Sequence, residues 1–242
     1  MTVRVYAAEL HCHTCLSPCA DVEMSPGNIV RTAVEAALDI IAVTDHNSGK
    51  NARSVIEAAA GLPLTVIPGM EVQSREEVHL ISLFRSVEAL EEWDASIYPY
   101  LPDVKNDPAI FGYQVIVDKE GQVLRFEERL LINSLDLSLE EVVKGIRDRG
   151  GICIPAHVDR EAFSIIHQLG YIPKDLPIAA VEVTGGHKVE MPEGYEVVTA
   201  SDAHVLRDIG MRKTMFLLEA ATFEEIHQGL RRQGGRRVQG LA

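Results

Sequence analysis

Residues 10–21, LHCHTCLSPCAD, combine two histidines, three cysteines and an aspartate directly after an apolar, strand-like run. His11 and His13 are two positions apart, and on a β-strand such residues point to the same side. The two imidazoles can therefore bind one metal ion together. A disulfide framework and an ordinary strand end are the alternatives for the same stretch.

The composition is ordinary for a globular protein, with 46% hydrophobic and 24% charged residues among 242. The chain has no apolar run long enough to span a membrane and no secretory signal, so we expect a cytoplasmic protein without a membrane partner. The formal net charge is −13. Because phosphate contacts need an excess of Lys and Arg, we expect no stable binding of duplex nucleic acid. Only short oligonucleotides, which need few basic contacts, are compatible with this net charge.

The cysteines favour neither disulfides nor a zinc site built from cysteine alone. Thiols are normally reduced in the cytosol, and no second C-x-x-C pair follows Cys12 and Cys15. We interpret Cys153 and most of the others as structural. Cys19 is the one cysteine that we expect to lie beside a metal ligand.

Short β-branched runs alternate with helical patterns, which is typical of βα units on a largely parallel sheet. The predicted strands include residues 39–44, 64–69 and 78–84. Residues 102–130 interrupt the alternation and are interpreted as an irregular insertion, with a hairpin that turns at Glu120–Gly121. We expect a single domain over residues 1–242, and the pattern indicates no oligomeric state.

Strand after strand ends in a residue that can bind a metal ion. In a parallel barrel the carboxyl ends of the strands converge on one face, which carries the active site. Histidine and carboxylate together suit Zn, Mn or Fe. The residues at these strand ends are His11, His13, Asp45, His46, Glu71, His157, Asp202 and His204.

His79 is an exception, because it lies at the start of its predicted strand. An antiparallel strand, or a ligand placed at a strand start, would bring it to the same face. Of the remaining histidines, His167 and His227 fall within helical patterns and His187 lies in a loop. We expect none of these three to bind a metal.

Six short motifs follow one another in a recognisable order. They are His11-x-His13, TDH at residues 44–46, PGMEV around Glu71, VHL around His79, PAHVDR around His157 and SDAH at residues 201–204. In this order the chain resembles the polymerase and histidinol phosphatase (PHP) family, and in particular its stand-alone bacterial phosphoesterases. The resemblance implies a distorted (β/α)7 TIM-like barrel of the PHP type that binds two or three divalent metal ions, Zn, Mn or Fe.

The resemblance also implies a ligand set. The first ion would be held by His11, His13, Glu71 and Asp202. Glu71 would bridge to a second ion, which is held by His79 and His157. A third would use His46, His204 and a residue after the first motif.

Many relatives have Ser-Asp-Gly after that motif, where this chain has SPCAD, so Asp21 is the predicted third ligand. Without Asp21 at the site, the protein would be dinuclear. Glu9 stands where an aspartate often precedes the histidine pair, and we expect it to hydrogen-bond a ligating imidazole.

The implied reaction is the hydrolysis of a phosphate ester by a hydroxide that bridges two ions. Arg160 is expected to bind phosphate oxygens through its guanidinium. We expect Asp45 to orient a neighbouring histidine and His204 to protonate the leaving group. The expected partner is a small-molecule ester such as a nucleotide, a nucleoside bisphosphate or histidinol phosphate. Alternatives are a metal-dependent amide or lactone hydrolase and a non-catalytic metal-binding protein.

Overall fold

The computed structural model describes residues 2–178, 180–185 and 194–239, and within them the chain forms eleven strands and seven helices. The strands are β1 (Arg4–Cys12), β2 (Ile40–Val43), β3 (Thr65–Gln73), β4 (His79–Leu83), β5 (Val115–Val117), β6 (Val123–Phe126), β7 (Ile152–Pro155), β8 (Ala180–Val183), β9 (Glu196–Thr199), β10 (Thr214–Leu218) and β11 (Arg237–Val238). The helices are α1 (Pro26–Glu35), α2 (Ala52–Ala58), α3 (Val87–Ile97), α4 (Pro108–Phe111), α5 (Leu139–Asp148), α6 (Ile165–Leu169) and α7 (Phe223–Leu230). His187 lies outside the described residues.

Seven strands form one curled sheet in the order β11-β10-β1-β2-β3-β4-β7. β1, β2 and β3 are parallel, whereas β4 is antiparallel to both β3 and β7, and β10 is antiparallel to both β1 and β11. The prediction of an α/β fold is confirmed, but this sheet is mixed and not largely parallel. The connection at residues 74–78 is too short for a parallel crossover, so β3 and β4 form a hairpin.

The parallel pair β8–β9 connects the ends of this sheet near the carboxyl ends of the strands. Beyond β7, the N–H of Val158 donates to the carbonyl of Glu182 at 2.8 Å, and beyond β9 Ala203 forms a parallel bridge to Cys12. These contacts bring the ends of β7, β8 and β9 next to the end of β1. The strand ends therefore surround one site, as the pattern of candidate ligands requires.

Burial on both faces explains why β2 has the continuous apolar sequence IIAV. Ile41 and Val43 pack into the larger apolar cluster, which also contains residues of α1 and α2. Ile40 and Ala42 point to the opposite side and join a second cluster. A strand that is covered on both faces has no polar side, which is usual for the parallel strands of α/β proteins.

The 102–130 segment contains the predicted hairpin, formed by β5 and β6, and it packs against the loop after β1. The N–H of Val115 donates to the carbonyl of Cys15 at 2.8 Å. Gly112 has φ +97°, and a Cβ atom there would lie 2.1 Å from the carbonyl oxygen of Pro18. The segment therefore forms one side of the region around residues 11–21. Among the described helices, none is long and apolar enough to cross a membrane.

Candidate metal centre

The two histidines at the end of β1 face the same side, as their spacing predicts. Nε2 of His11 lies 3.1 Å from Nε2 of His13, and both side chains are completely buried. Burial and the neighbouring imidazole of His204 hold the pKa of His13 well below its usual range. Neutral imidazoles with converging nitrogens are the form that binds a metal ion.

Glu71, in β3, lies at the middle of the cluster. Its Oε1 is 2.8 Å from Nδ1 of His79 and 3.2 Å from Nε2 of His157, while its Oε2 is 3.0 Å from Nδ1 of His46. Burial alone would raise the pKa of Glu71, but the charges of the surrounding histidines outweigh it and hold the pKa well below its usual range. The carboxylate is therefore ionised and has one oxygen facing each of two groups of imidazoles.

The direction of β4 explains why His79 departs from the strand-end pattern. β4 is antiparallel to β3, and His79 pairs with Gln73, so the start of β4 lies at the same edge as the end of β3. Burial lowers the pKa of His79 to about 4, which keeps its ring neutral. Of the two explanations that the sequence left open, the antiparallel strand is the one observed.

Asp202 completes the site from the loop after β9. Its Oδ1 is 3.1 Å from Nε2 of His11 and 3.2 Å from Nε2 of His13, and its Oδ2 accepts a hydrogen bond from Arg160. Asp202 and His157 have φ values of +52° and +31°, in the left-handed region that non-glycine residues rarely adopt. Such backbone conformations concentrate at functional sites, where the surrounding structure maintains them.

Hydrogen bonds on the far side of the rings orient the histidine pair. Nδ1 of His11 lies 2.9 Å from Oε1 of Glu182, and Nδ1 of His13 lies 2.9 Å from Oγ of Ser17. Ser17 donates its own proton to Asp45 at 2.7 Å, so it must accept from His13, whose proton is therefore on Nδ1. Burial would lower the pKa of His11, but Glu182, Asp202 and Glu71 outweigh it and hold the pKa well above its usual range. In both rings Nε2 faces the site.

Glu182 and Ser17 are functional residues that the sequence analysis missed. The available signal for Glu182 was a carboxylate within the short apolar strand AVEV, which is buried along its whole length. Asp45 reaches His13 only through Ser17 and otherwise binds Thr14, so it does not contact the centre directly.

The expectation for Glu9 needs correction. Its carboxylate accepts hydrogen bonds from the backbone N–H groups of Ser201 at 3.1 Å and His11 at 3.3 Å, and not from an imidazole. Burial raises the pKa of Glu9 to about 7. Glu9 therefore holds the loop after β9 against β1, while Glu182 has the role that was predicted for Glu9.

The third predicted ligand group is only partly assembled. Ring nitrogens of His13, His46 and His204 lie within 4.8 Å of one another. Asp21 is exposed, and its carboxylate accepts from the N–H of Glu23 at 2.8 Å. Among the described residues, neither Asp21 nor Cys19 belongs to a donor group whose atoms all lie within 4.8 Å of one another.

Cys19 lies beside this third group in place of Asp21. Its Sγ is 3.2 Å from Nε2 of His204, and Nδ1 of His204 is 2.9 Å from the carbonyl oxygen of Asp202. Burial raises the pKa of Cys19, but hydrogen bonds with His204 and His46 outweigh it and lower the pKa to about 6. Both ring nitrogens of His204 are therefore engaged, so the geometry does not favour His204 as the donor of a leaving-group proton.

The assembled residues fit divalent metal ions. Three groups of donor atoms in the described part of the chain lie close enough to share an ion: His11, His13 and Asp202; His46, Glu71 and His79; His13, His46 and His204. Nδ1 of His46 and Oδ1 of Asp202 are buried and form no hydrogen bond. Buried polar atoms are normally paired, and an imidazole and carboxylate set of this kind is typical of Zn, Mn and Fe sites.

The comparison with protein families agrees with this geometry. Residues 9–150, more than half of the chain, match the PHP domain family. The chain belongs to the PHP family. Two solved structures with this fold are described as a putative metal-dependent phosphoesterase and as containing a predicted PHP-like metal-dependent phosphoesterase. No curated protein matches this sequence.

Solved structures of PHP-like proteins share the fold. The lesion-specific endonuclease PfuEndoQ from Pyrococcus furiosus has a TM-score of 0.77 at 18% identity, over 97% of this chain and 58% of that one. A complex of Endonuclease Q with a 27-mer duplex that has an abasic lesion at the active site has a TM-score of 0.75, with the same identity and coverage. A two-domain protein from Bacteroides vulgatus, containing a predicted PHP-like metal-dependent phosphoesterase, has a TM-score of 0.54 at 17% identity, over 94% of this chain and 63% of that one.

The Endonuclease Q complex contradicts one prediction. A small-molecule ester was expected as the partner, and duplex nucleic acid was excluded because of the acidic net charge. That protein, which shares this fold over 58% of its chain, is in complex with a 27-mer duplex substrate, so the acidic net charge does not exclude a duplex partner. Net charge is a sum over the whole chain, whereas phosphate binding depends on the charges at the site itself.

Proposed function

We propose that this PHP protein hydrolyses phosphodiester bonds in a nucleic-acid strand, using two or three divalent metal ions of the Zn, Mn or Fe type. The observation that carries the proposal is the position of Glu71. Its Oε1 faces His79 and His157, and its Oε2 lies 3.6 Å from Nε2 of His13 and 3.0 Å from Nδ1 of His46. A carboxylate shared by two donor groups is suited to hold paired ions. The likeness to Endonuclease Q over 97% of the chain supports nucleic acid as the substrate class.

The two principal ions would share Glu71. His11, His13 and Asp202 would hold the first, and His79 and His157 the second. Paired ions supply an activated water nucleophile and stabilise the charge that develops on the phosphate. Glu182 and Ser17 keep the Nε2 atoms of His11 and His13 directed at the site.

Arg160 is positioned to bind a phosphate oxygen of the substrate. Its guanidinium donates to Oδ2 of Asp202 and to Oγ1 of Thr184, and its side chain remains 38% exposed. Nitrogens that these bonds leave free can donate to a phosphate beside Asp202. Guanidinium matches phosphate better than an ammonium group because it donates two parallel hydrogen bonds.

A second arginine extends the positive charge along the same rim. Arg212 is exposed, and its Nη1 lies close to the position of a Cβ atom on Gly185, so its guanidinium and that of Arg160 flank residues 184–185. This local charge gives a polyanionic strand a binding surface despite the net charge of −13.

An aromatic pair lies in the 102–130 segment, which packs against the loop after β1. The rings of Tyr113 and Phe126 have centroids 5.8 Å apart, and each residue is 53% exposed. Tyr113 follows Gly112, whose backbone contacts Pro18 beside Cys19. Exposed aromatic rings are platforms on which bases of a single strand stack, so this surface supports a nucleic-acid substrate.

A cleavage assay tests the proposal. An end-labelled duplex with one abasic site, the intact duplex and the single strand are each incubated with the protein and Mn²⁺ or Zn²⁺. We expect metal-dependent strand cleavage by the wild type and by His167→Ala, whose exposed histidine lies in α6, and none by His13→Ala. If all three DNAs remain intact while bis(p-nitrophenyl) phosphate is hydrolysed, the nucleic-acid assignment is wrong and phosphodiesterase activity stands.

A further inference from the structure

Cys19 is a thiol at the metal centre that neither the predicted ligand set nor the family comparison assigns. The four cysteines are free thiols, and Cys19 is the exposed one. Its Sγ lies 3.2 Å from Nε2 of His204, and His46 together with His204 lowers the pKa of the thiol. The backbone N–H of Asp21 donates to the carbonyl of His204 at 2.9 Å, and this contact keeps the 17–21 loop against the site.

A second observation points to a ligand at the same place. Nδ1 of His46 is buried and forms no hydrogen bond, although Oε2 of Glu71 is only 3.0 Å away. The residue itself is 7% exposed, so water does not satisfy this nitrogen readily. Ring nitrogens of His13, His46 and His204 also lie within 4.8 Å of one another, and imidazoles this close together are the arrangement expected of a site that receives a cation.

The spacing of the atoms suits a metal better than a simple pair of side chains. Zinc bonds of about 2.3 Å to sulfur and about 2.1 Å to nitrogen place tetrahedral ligands about 3.6 Å apart. The observed 3.2 Å between Sγ and Nε2 requires only a small movement. Asp21 would instead have to release its bond to the N–H of Glu23 and turn toward the histidines.

We propose that the thiolate of Cys19 joins His46 and His204 as a ligand of the third ion. The proposal rests on the metal centre of the proposed function and concerns one ligand of it. On binding, the thiol releases its proton to solvent and sulfur bonds to the metal. A sulfur ligand selects Zn, Fe or Co over Mn at this position, because Mn prefers oxygen ligands.

Cobalt substitution tests this ligand without measuring activity. The metal-free protein is titrated with Co²⁺, and the near-ultraviolet band of thiolate-to-cobalt charge transfer is recorded together with bound cobalt per chain. We expect the band in the wild type, in Cys15→Ser and in Asp21→Asn. We expect Cys19→Ser to lose the band and one equivalent of cobalt while it keeps the cobalt of the other sites.

Alkylation gives a second measurement on the unmodified protein. Because Cys19 is the exposed cysteine, iodoacetamide should label it first in the metal-free protein, and Zn²⁺ should slow the labelling at least tenfold. A wild-type protein that binds cobalt without the charge-transfer band would overturn the Cys19 assignment while the metal centre stands. So would loss of one ion in Asp21→Asn but not in Cys19→Ser. A protein that binds no cobalt would refute the metal centre and this inference together.

Discussion

Nδ1 of His11 and Oε1 of Glu182 lie 2.9 Å apart although 171 residues separate them in the sequence. The contact turns Nε2 of His11 toward Glu71 and Asp202. Glu182, in β8, therefore sets the orientation of the His11 ring, at the end of β1, toward the candidate metal site. Carboxylates in this position raise the basicity of the ligating imidazole and restrict its orientation.

Replacing Glu182 by glutamine should therefore weaken metal binding without removing a ligand. We expect the affinity for the first ion to fall about 10–100-fold, measured by competition with a chromophoric chelator. Glu196→Gln, in the adjacent β9, is the matched control because that buried carboxylate pairs with Arg232 and does not contact the histidines. Equal affinities in the wild type and Glu182→Gln would contradict this role.

Arg160→Ala should impair substrate binding more than the chemical step. Loss of a phosphate contact is expected to raise KM for a nucleic-acid strand about tenfold or more and to lower the slope of log affinity against log salt by about one. Arg160→Lys should restore only part of the affinity, because an ammonium group does not make two parallel hydrogen bonds. Steady-state kinetics at several salt concentrations give both values. Arg147→Ala, an exposed arginine of α5, is the control and should leave KM unchanged.

The aromatic pair gives a prediction that separates nucleic-acid substrates from small esters. Phe126→Ala and Tyr113→Ala should each weaken the binding of a single strand by about 1–3 kcal/mol, the range for one base stacked on a ring. Hydrolysis of bis(p-nitrophenyl) phosphate should not change, since that substrate does not extend along a strand. Ile110→Ala, an exposed apolar residue of α4, is the control. Unchanged strand binding in both aromatic variants, by fluorescence anisotropy, would exclude this surface from the interface.

Glu9 should make the stability of the metal-free protein depend on pH. Its pKa is about 7 in the folded protein because of burial, and near 4.5 when the chain is unfolded. The unfolded chain ionises first as pH rises, so stability is lost between about pH 4.5 and pH 7. The loss attributable to Glu9 is at most about 3 kcal/mol.

Urea unfolding with a chelator present, at pH 5.5 and at pH 8, measures this dependence. Glu9→Gln cannot ionise, so its stability should change less between the two pH values than that of the wild type. Glu77→Gln, at an exposed turn, should retain the wild-type dependence. An identical pH dependence in Glu9→Gln and the wild type would show that Glu9 is ionised in the folded protein.

Gly112 is the position where the 102–130 segment tolerates no side chain. An alanine there would meet the carbonyl oxygen of Pro18 at 2.1 Å and would hold φ near +97°. We expect Gly112→Ala to lower the free energy of unfolding by at least about 1 kcal/mol. Gly27→Ala, in α1, is the control and should raise the free energy of unfolding, because no atom lies within 4 Å of the added carbon. Thermal unfolding of the wild type and both variants, with a chelator present, measures these changes in stability.

The convergence of the candidate ligands on one site was more predictable from sequence than the path of the sheet. Histidines and carboxylates at strand ends carry a local signal, because each follows an apolar run within a few residues. The antiparallel direction of β4 has no such signal in the apolar pattern, and it changes the sheet from largely parallel to mixed. The hairpin of β5 and β6 was predictable because Gly121 marks its turn.

Residues that act across the fold were the least predictable. Glu182 and Ser17 support histidines from other elements, and nothing in their neighbouring sequence identifies the ring that each contacts. Whether Cys19 or Asp21 lies beside the histidines depends on the path of the 17–21 loop. That path is held by a hydrogen bond from the backbone N–H of Asp21 to the carbonyl of His204. The exclusion of duplex nucleic acid was wrong because composition describes the whole surface, whereas Arg160 and Arg212 flank residues 184–185 beside Asp202.

The β3–β4 hairpin also has a consequence for how the centre forms as the chain is synthesised. Glu71 and His79 meet within one hairpin, which needs no other part of the chain to emerge from the ribosome. His11 can contact Glu182, and His13 can contact Asp202, only after the strands near the carboxyl end have been synthesised and have packed against β1. A nascent chain thus presents half of a metal site early, and a chain interrupted before residue 202 lacks the residues that complete it. The chain can therefore bind its full set of ions only after translation has passed residue 202 and β8 and β9 have packed beside β1.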